Sequence, residues 1–179
     1  KRKSVNVDEF VGAKVMTKSA LIVMLLWANT GFSDEVTIKN NQLQLMQPLV
    51  FEAQNDVLHL QSQGVIADVK AFLDKKSYIS TLRIEGNVNG FADEQQNLVL
   101  SAERGLAVAK ALIAAGVACE RLLVSALGSS KPVATNDTPE GRMANNRIDL
   151  VVAALRGHAI GGMPLEGVGQ KVSLGCKEE

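Results

Sequence analysis

Aromatic residues are scarce in this chain of 179 residues: one Trp, one Tyr and five Phe make up 4% of it. A core built around rings is therefore excluded, and Leu, Val, Ile and Ala must supply the buried surface. Neither sign of charge is in excess, with 19 Lys+Arg against 19 Asp+Glu. A chain without net positive charge has no electrostatic footprint for a nucleic acid. Residues 1–33 hold five basic against two acidic side chains, leaving 14 against 17 for the remainder, which argues further against a polyanionic partner. Histidine is limited to His59 and His158, neither at a metal-ligand or triad spacing. No Ser/His/Asp signature, paired-carboxylate arrangement, phosphate loop or metal cluster is present, which excludes an enzyme and implies no cofactor. There is no internal repeat. The longest apolar run, Ala20 to Ala28, is about half the ~20 residues that span a bilayer.

What remains is an ordinary globular composition, 46% hydrophobic and 21% charged, long enough for one domain with a real core. Lys14 and Lys18, the apolar run and the small and polar residues NTGFS after it have the layout of a secretory signal peptide. Cleavage is expected near Ser33 or near Thr30, and Met16 is a candidate initiator behind an upstream extension. No cysteine lies in this region, so lipid attachment there is not supported. The expected organisation is therefore an extension and signal over 1–33, a domain over 34–155 and a glycine-rich tail over 156–179.

Within the domain, Val36 to Leu45 reads as two short strands around Asn40-Asn41. Leu49, Val50 and Phe51 read as a compact strand, and Asn55-Asp56 as a helix entry. Val65, Ile66, Val69, Phe72 and Leu73 recur at helical spacing between Leu58 and Lys76. Leu82, Ile84, Gly86 and Val88 alternate as a strand, whereas Leu98, Ala102, Leu106, Ala109 and Ile113 form a helix ending near Gly116. Leu122 to Leu127 and Ile148, Leu150, Val152 are the last strands, separated by a loop with a helical turn around Glu140 to Asn145. This order predicts an α/β layer sandwich with two main helices on one face of a mixed sheet.

The tail has no apolar period and alone would be extended or disordered. Its Cys176 changes that expectation. Cys119 is the only other cysteine, and in an exported protein such a pair is expected to be oxidised. Closing so long a loop stabilises by about 4 kcal/mol in the chain-entropy model.

The stretch LRIEGNVNGFADEQQNLVLSAER, Leu82 to Arg104, places Asn87, Asn89 and Gly90 at a strand's carboxyl end, facing a helix start, a good position to hold a ligand. Together with RLLVSALGSSKPVATNDTPEGRMANNRIDL it resembles the OmpA-like carboxyl-terminal domain shared with MotB and peptidoglycan-associated lipoproteins. The likeness runs from about Leu49 to Val152. It rests on the spacing of Asn97, Leu100, Ser101 and Arg104, and on the run from Asn136 through Glu140, Gly141, Arg142 and Asn145 to Arg147.

The resemblance implies non-covalent binding of peptidoglycan through the diaminopimelate of its stem peptide. It also implies a periplasmic, outer-membrane-associated place in the cell envelope, with other envelope proteins as further partners. In such domains a strand-end Asp takes the ligand's ammonium and a helix arginine its carboxylate. Arg104 holds the arginine position and Asn97 matches a pocket asparagine. Arg147 matches an arginine near the rim, and Gln54 or Asn55 contributes from the loop after Phe51. The departures are at the site: Asn87, Val88 and Asn89 replace a His-Thr-Asp triplet, Gly105 replaces Ala, and Asn146 stands for Arg. An Asn89 carbonyl can still accept a hydrogen bond, but the charge is gone, a loss of roughly ten-fold or more in affinity. The alternative is a degenerate scaffold for protein–protein contacts without wall binding. Asn89-Gly90 is also the dipeptide most prone to deamidation, which would return an Asp to position 89.

Overall fold

Two asparagines start the sheet. Asn40 and Asn41 both adopt positive φ, 52° and 62°, the pairing that a tight two-residue hairpin needs. They join β1 (Thr37–Lys39) to β2 (Gln42–Gln44). The computed structural model describes residues 36–53, 55–91, 93–162 and 164–176. The expected signal segment lies outside them.

Helix α1 (Ser62–Lys75) leads into β3 (Ile79–Asn87), α2 (Glu94–Ala114), β4 (Leu122–Gly128), α3 (Pro139–Asn145) and β5 (Arg147–Leu155). Two short strands follow in the tail, β6 (His158–Ala159) and β7 (Gln170–Val172). β3 lies at the centre, parallel to β4 and antiparallel to β5, so the sheet is mixed as the element order predicts. The strand order is β1-β2-β5-β3-β4-β7. Side chains alternate across a strand. Leu82 and Ile84 of β3, Val124 of β4 and Leu150 and Val152 of β5 join one buried cluster with Val69, Phe72 and Leu73 of α1 and Val108, Ala109 and Leu112 of α2. Both main helices therefore cover the same face. Among the described residues no helix is long and apolar enough to cross a membrane.

Glycines set how closely α2 approaches. A Cβ on Gly86 would collide with the Ser101 carbonyl, and one on Gly105 would lie 2.7 Å from Val124 Cγ1. Gly105 is thus more than the weak helix former its propensity suggests: its missing methyl is the space into which β4 packs.

Three expectations change. The apolar run Leu49 to Phe51 is reduced to one antiparallel bridge, Phe51 to Leu58. The backbone of Val50 explains this, because its N–H donates to Ser62 Oγ at 2.9 Å and its carbonyl accepts from His59 N at 2.8 Å. Those groups serve the start of α1 and are not available to a neighbouring strand. Nor do Asn55-Asp56 begin a helix; α1 starts at Ser62, and Asn55 Oδ1 accepts from Val57 N at 2.9 Å in a local turn. Finally, the tail adds to the sheet. β6 pairs with β5, and β7 pairs antiparallel with β4 along its open edge. Cys119 and Cys176 form a disulfide with their Cα atoms 5.8 Å apart, tying the end of this strap to the turn after α2.

Candidate functional site

The carboxyl end of β3 and the start of α2 are held together by one side chain. Asp93 caps α2, its carboxylate accepting from Gln95 N at 3.0 Å. One turn into the helix, Asn97 is 2% exposed, so both ends of its amide need partners. The loop supplies them. Asn97 Oδ1 accepts from Gly90 N at 3.1 Å and Phe91 N at 3.0 Å, and its Nδ2 donates to the Phe91 carbonyl at 2.9 Å. Asn97 therefore shapes the loop. Its polar atoms are engaged by the loop, whereas the resemblance implies a pocket-lining role for it. Asn89 itself is half-buried, and its N–H donates to Asn146 Oδ1 at 3.0 Å. Asn146 stands out in the sequence only as a departure from the family pattern; in the fold it anchors the loop from the far side.

Arg104 is seven residues after Asn97, two turns along the same stripe of α2, a rise of about 10 Å. It meets a second loop. Arg104 Nε donates to the Asn55 carbonyl at 2.9 Å, and its guanidinium carbon sits 5.0 Å from the centroid of the Phe51 ring, within cation–π range. Burial lowers its pKa, while the charge of nearby Asp56 works in the opposite direction. Arginine nonetheless stays charged in proteins. The side chain is thus a half-buried cation with its orientation fixed. Sequence spacing does not single out Phe51 and Asp56, which lie 53 and 48 positions before Arg104 in the chain. Gln54 lies outside the described residues; its neighbour Asn55 does contact Arg104.

Asn87 and Arg147 are elsewhere. Leu82, Ile84 and Gly86 face the helices, so Arg83, Glu85 and Asn87 face away. Asn87 is 2% exposed and directly opposite Arg147 in the ladder. Its Nδ2 donates to Asp149 Oδ2 at 3.2 Å. Arg147 grips the same carboxylate through Nε (3.1 Å to Oδ1) and Nη2 (2.9 Å to Oδ2), and Gln42 Nε2 adds a bond of 2.8 Å to Oδ1. Beside this group, Glu85 holds Arg83 and Lys131, each at 2.8 Å. The sheet stands between this network and Arg104, so the structure does not bring Asn87 and Arg147 into one site with it.

The glycine-rich strap covers part of that outer face. Arg83 Nη1 donates to the Leu165 carbonyl at 2.8 Å, and a Cβ on Gly167 would lie 2.9 Å from Arg83 Cζ. A Cβ on Gly169 would collide with Ser125 Oγ. The tail's glycines let backbone lie flat on a polar surface.

A shallow groove of about 330 Å³ follows the outer side of α2, lined by Phe91, Gln95, Gln96, Val99, Leu100 and Glu103. Neither Asn89 nor Arg104 lines it. Among the described residues no group of three His, Cys, Asp or Glu side chains is arranged to hold a metal ion.

Comparison with known proteins bears on this arrangement. The OmpA family matches residues 50–147, more than half of the chain. The peptidoglycan-binding protein ArfA of Mycobacterium tuberculosis is 45% identical over 69 residues, 36% of this chain and 21% of ArfA. The outer-membrane lipoprotein YfiB of Pseudomonas aeruginosa is 40% identical over 76 residues, 42% of this chain and 45% of YfiB. The chain thus spans about a fifth of the one relative and under half of the other. Among solved structures, the peptidoglycan-associated lipoprotein of Burkholderia pseudomallei aligns with a TM-score of 0.54 at 27% identity, over 59% of this chain and 88% of that one. The C-terminal domain of Helicobacter pylori MotB aligns with a TM-score of 0.53 at 28% identity, over 59% and 82%.

Proposed function

The chain belongs to the OmpA family, whose domains are non-enzymatic, and from that premise we propose that it binds peptidoglycan without covalent attachment, its site built around Arg104. The ligand group is the diaminopimelate of the stem peptide, and the setting is the cell envelope on the periplasmic side. A zwitterionic amino-acid head needs a cation for its carboxylate, and an arginine fork suits one because two parallel hydrogen bonds fix its orientation. The observation that carries this reading is the restraint on Arg104. Held by the Asn55 carbonyl and the Phe51 ring, it is positioned before a ligand arrives, which reduces the ordering cost of binding. The names of ArfA and of the Burkholderia lipoprotein support the class of ligand.

The neutral Asn89 favours a second reading, a scaffold that contacts other envelope proteins without wall affinity. Sedimentation with purified peptidoglycan separates the two. Wall binding is expected for the native chain, with a loss of roughly ten-fold or more in Arg104→Ala and a gain in Asn89→Asp. Failure of all three forms to sediment with the wall leaves the scaffold reading.

A further inference from the structure

We propose that Asp56 supplies the negative half of the site that position 89 lacks, so that a zwitterionic amino-acid head is held between Asp56 on the 51–58 loop and Arg104 on α2. The inference rests on the peptidoglycan reading above and names the residue that completes it.

Three observations converge on Asp56. The first is where its loop is anchored. Asn55, the residue before it, receives the Arg104 Nε–H at 2.9 Å, so the loop that carries Asp56 is docked on the very cation that takes the ligand's carboxylate. The second is that the described residues on either side of Gln54 are bonded to one another. Phe51 bridges Leu58, Glu52 N donates to the Val57 carbonyl at 2.9 Å, and Val57 N donates to Asn55 Oδ1 at 2.9 Å. Asp56 therefore lies between Asn55 and Val57, both of which are held by these bonds. The third is that its carboxylate is uncommitted. Asp56 is exposed and, among the described residues, makes no ion pair with Arg104 or with any other cation. Asp56 follows Asn55 directly in the chain, so its charge is carried on the residue next to the one docked on the guanidinium, and it acts on Arg104 electrostatically.

An unbridged anion and cation side by side are what a zwitterion requires: the ammonium goes to one and the carboxylate to the other. A ligand that fills the gap gains two charge-assisted bonds and breaks none. Other carboxylates fit less well. Glu103 follows the groove on the outer side of α2, and Glu94 is engaged by Ser129. Glu52 is on the same loop and exposed, but it lies three residues from Asn55, where the loop meets Arg104. Asn89 keeps only a neutral amide, and its backbone is tied to Asn146.

The test is calorimetric titration of the full chain with meso-diaminopimelate, run for the native protein, Asp56→Asn, Asp56→Glu, Arg104→Ala, Asn89→Asp and the double variant Asp56→Asn/Asn89→Asp. Asp56→Asn is expected to weaken binding about ten-fold, Asp56→Glu to retain part of it, and Asn89→Asp to restore it in the double variant. Asp56 is exposed and, among the described residues, unbonded, so an unchanged Tm in Asp56→Asn confirms that the fold is intact. Native-like binding by Asp56→Asn, with binding lost in Arg104→Ala, overturns the inference and leaves the peptidoglycan reading standing. Binding that begins only with Asn89→Asp also overturns it, because the anion is then needed at position 89. No binding by any form removes the peptidoglycan reading and this inference with it.

Discussion

Asn97 and Phe91 are joined by a two-way hydrogen bond, Phe91 N donating to Asn97 Oδ1 at 3.0 Å and Asn97 Nδ2 donating to the Phe91 carbonyl at 2.9 Å. With the third bond from Gly90, a buried amide takes the place of a strand partner for the loop after β3. Asn145 repeats the device, its Oδ1 accepting from Val133 N at 2.7 Å and Ala134 N at 3.0 Å, its Nδ2 donating to the Ala134 carbonyl at 2.8 Å. Both loops flank the carboxyl ends of the central strands. Asn97→Ala strands two N–H donors and one carbonyl, so it is expected to destabilise the fold by about 2–4 kcal/mol. Urea unfolding measures that loss, and amide exchange should show Gly90 and Phe91 losing protection ahead of the β3 core.

The network on the outer face of the sheet gives a contrasting prediction. Asp149 is 4% exposed and receives Arg147, Asn87 and Gln42 together. Asp149→Asn removes the charge and leaves Arg147 without its partner. A buried pair broken in this way costs several kcal/mol; with the Arg147 side chain still 20% exposed, about 2–4 kcal/mol is expected. Because the sheet separates this group from Arg104, ligand affinity should hold once the variant is folded. A stability loss with unchanged titration by meso-diaminopimelate is the expected pair of results.

Much of this architecture is legible in the sequence, because strand alternation and helical period report which side chains are buried. The turn at Asn40-Asn41, both main helices and the three long strands follow from those patterns. Less legible are contacts whose residues are distant in the chain. Arg104 is read from its helix, but Phe51 and the Asn55 carbonyl meet it only after folding. The role of Gly105 likewise depends on Val124 of another element. Asn87 illustrates a different limit. Neighbouring polar residues at a strand end look like one site, although alternation sends Asn87 to the face opposite the helices. The edge strand β7 is hidden because its three residues, two of them polar, lie in a glycine-rich segment and pair with a strand some 45 positions earlier.

Release of the strap tests what the disulfide contributes. Cys176→Ser, or reduction of the native protein, reopens the loop and is expected to lower stability by about 2–4 kcal/mol. The effect should be uneven. β7 pairs with β4 through only three residue pairs, so Gln170–Val172 should exchange amide protons quickly while β3 remains protected. Guanidinium unfolding with and without reductant, read alongside hydrogen exchange, checks both parts.

Glu94 links the start of α2 to the end of β4 in a pH-dependent way. The Ser129 hydroxyl and then its backbone N–H, the latter at 3.0 Å to Oε1, hold the carboxyl below its usual value of 4.5. The folded state therefore favours the ionised form more than the unfolded chain does. That contribution is fully present above the ordinary Glu range and is lost as pH falls through the lowered folded value. Since Glu94 is exposed, the effect is small. The Tm difference between the native protein and Glu94→Gln should be constant above about pH 5 and shrink in more acidic buffer.

Asn89-Gly90 invites deamidation by sequence, but the fold restrains it. Succinimide formation needs the Gly90 backbone nitrogen to attack the Asn89 side-chain carbonyl. In the folded protein that N–H is directed at Asn97 Oδ1 at 3.1 Å, and the preceding N–H is held by Asn146. Attack therefore has to wait for the loop to open. Peptide mapping after prolonged incubation should show little aspartate or isoaspartate at position 89 in the native protein, and faster conversion in Asn97→Ala or in urea. Equal rates in folded and unfolded protein would show that the clamp does not limit the reaction. If conversion does occur, the aspartate product adds a carboxylate at position 89. Aged native protein should then bind meso-diaminopimelate more tightly than fresh protein, in proportion to the fraction of Asn89 converted to aspartate, while isoaspartate, with its lengthened backbone, should not contribute.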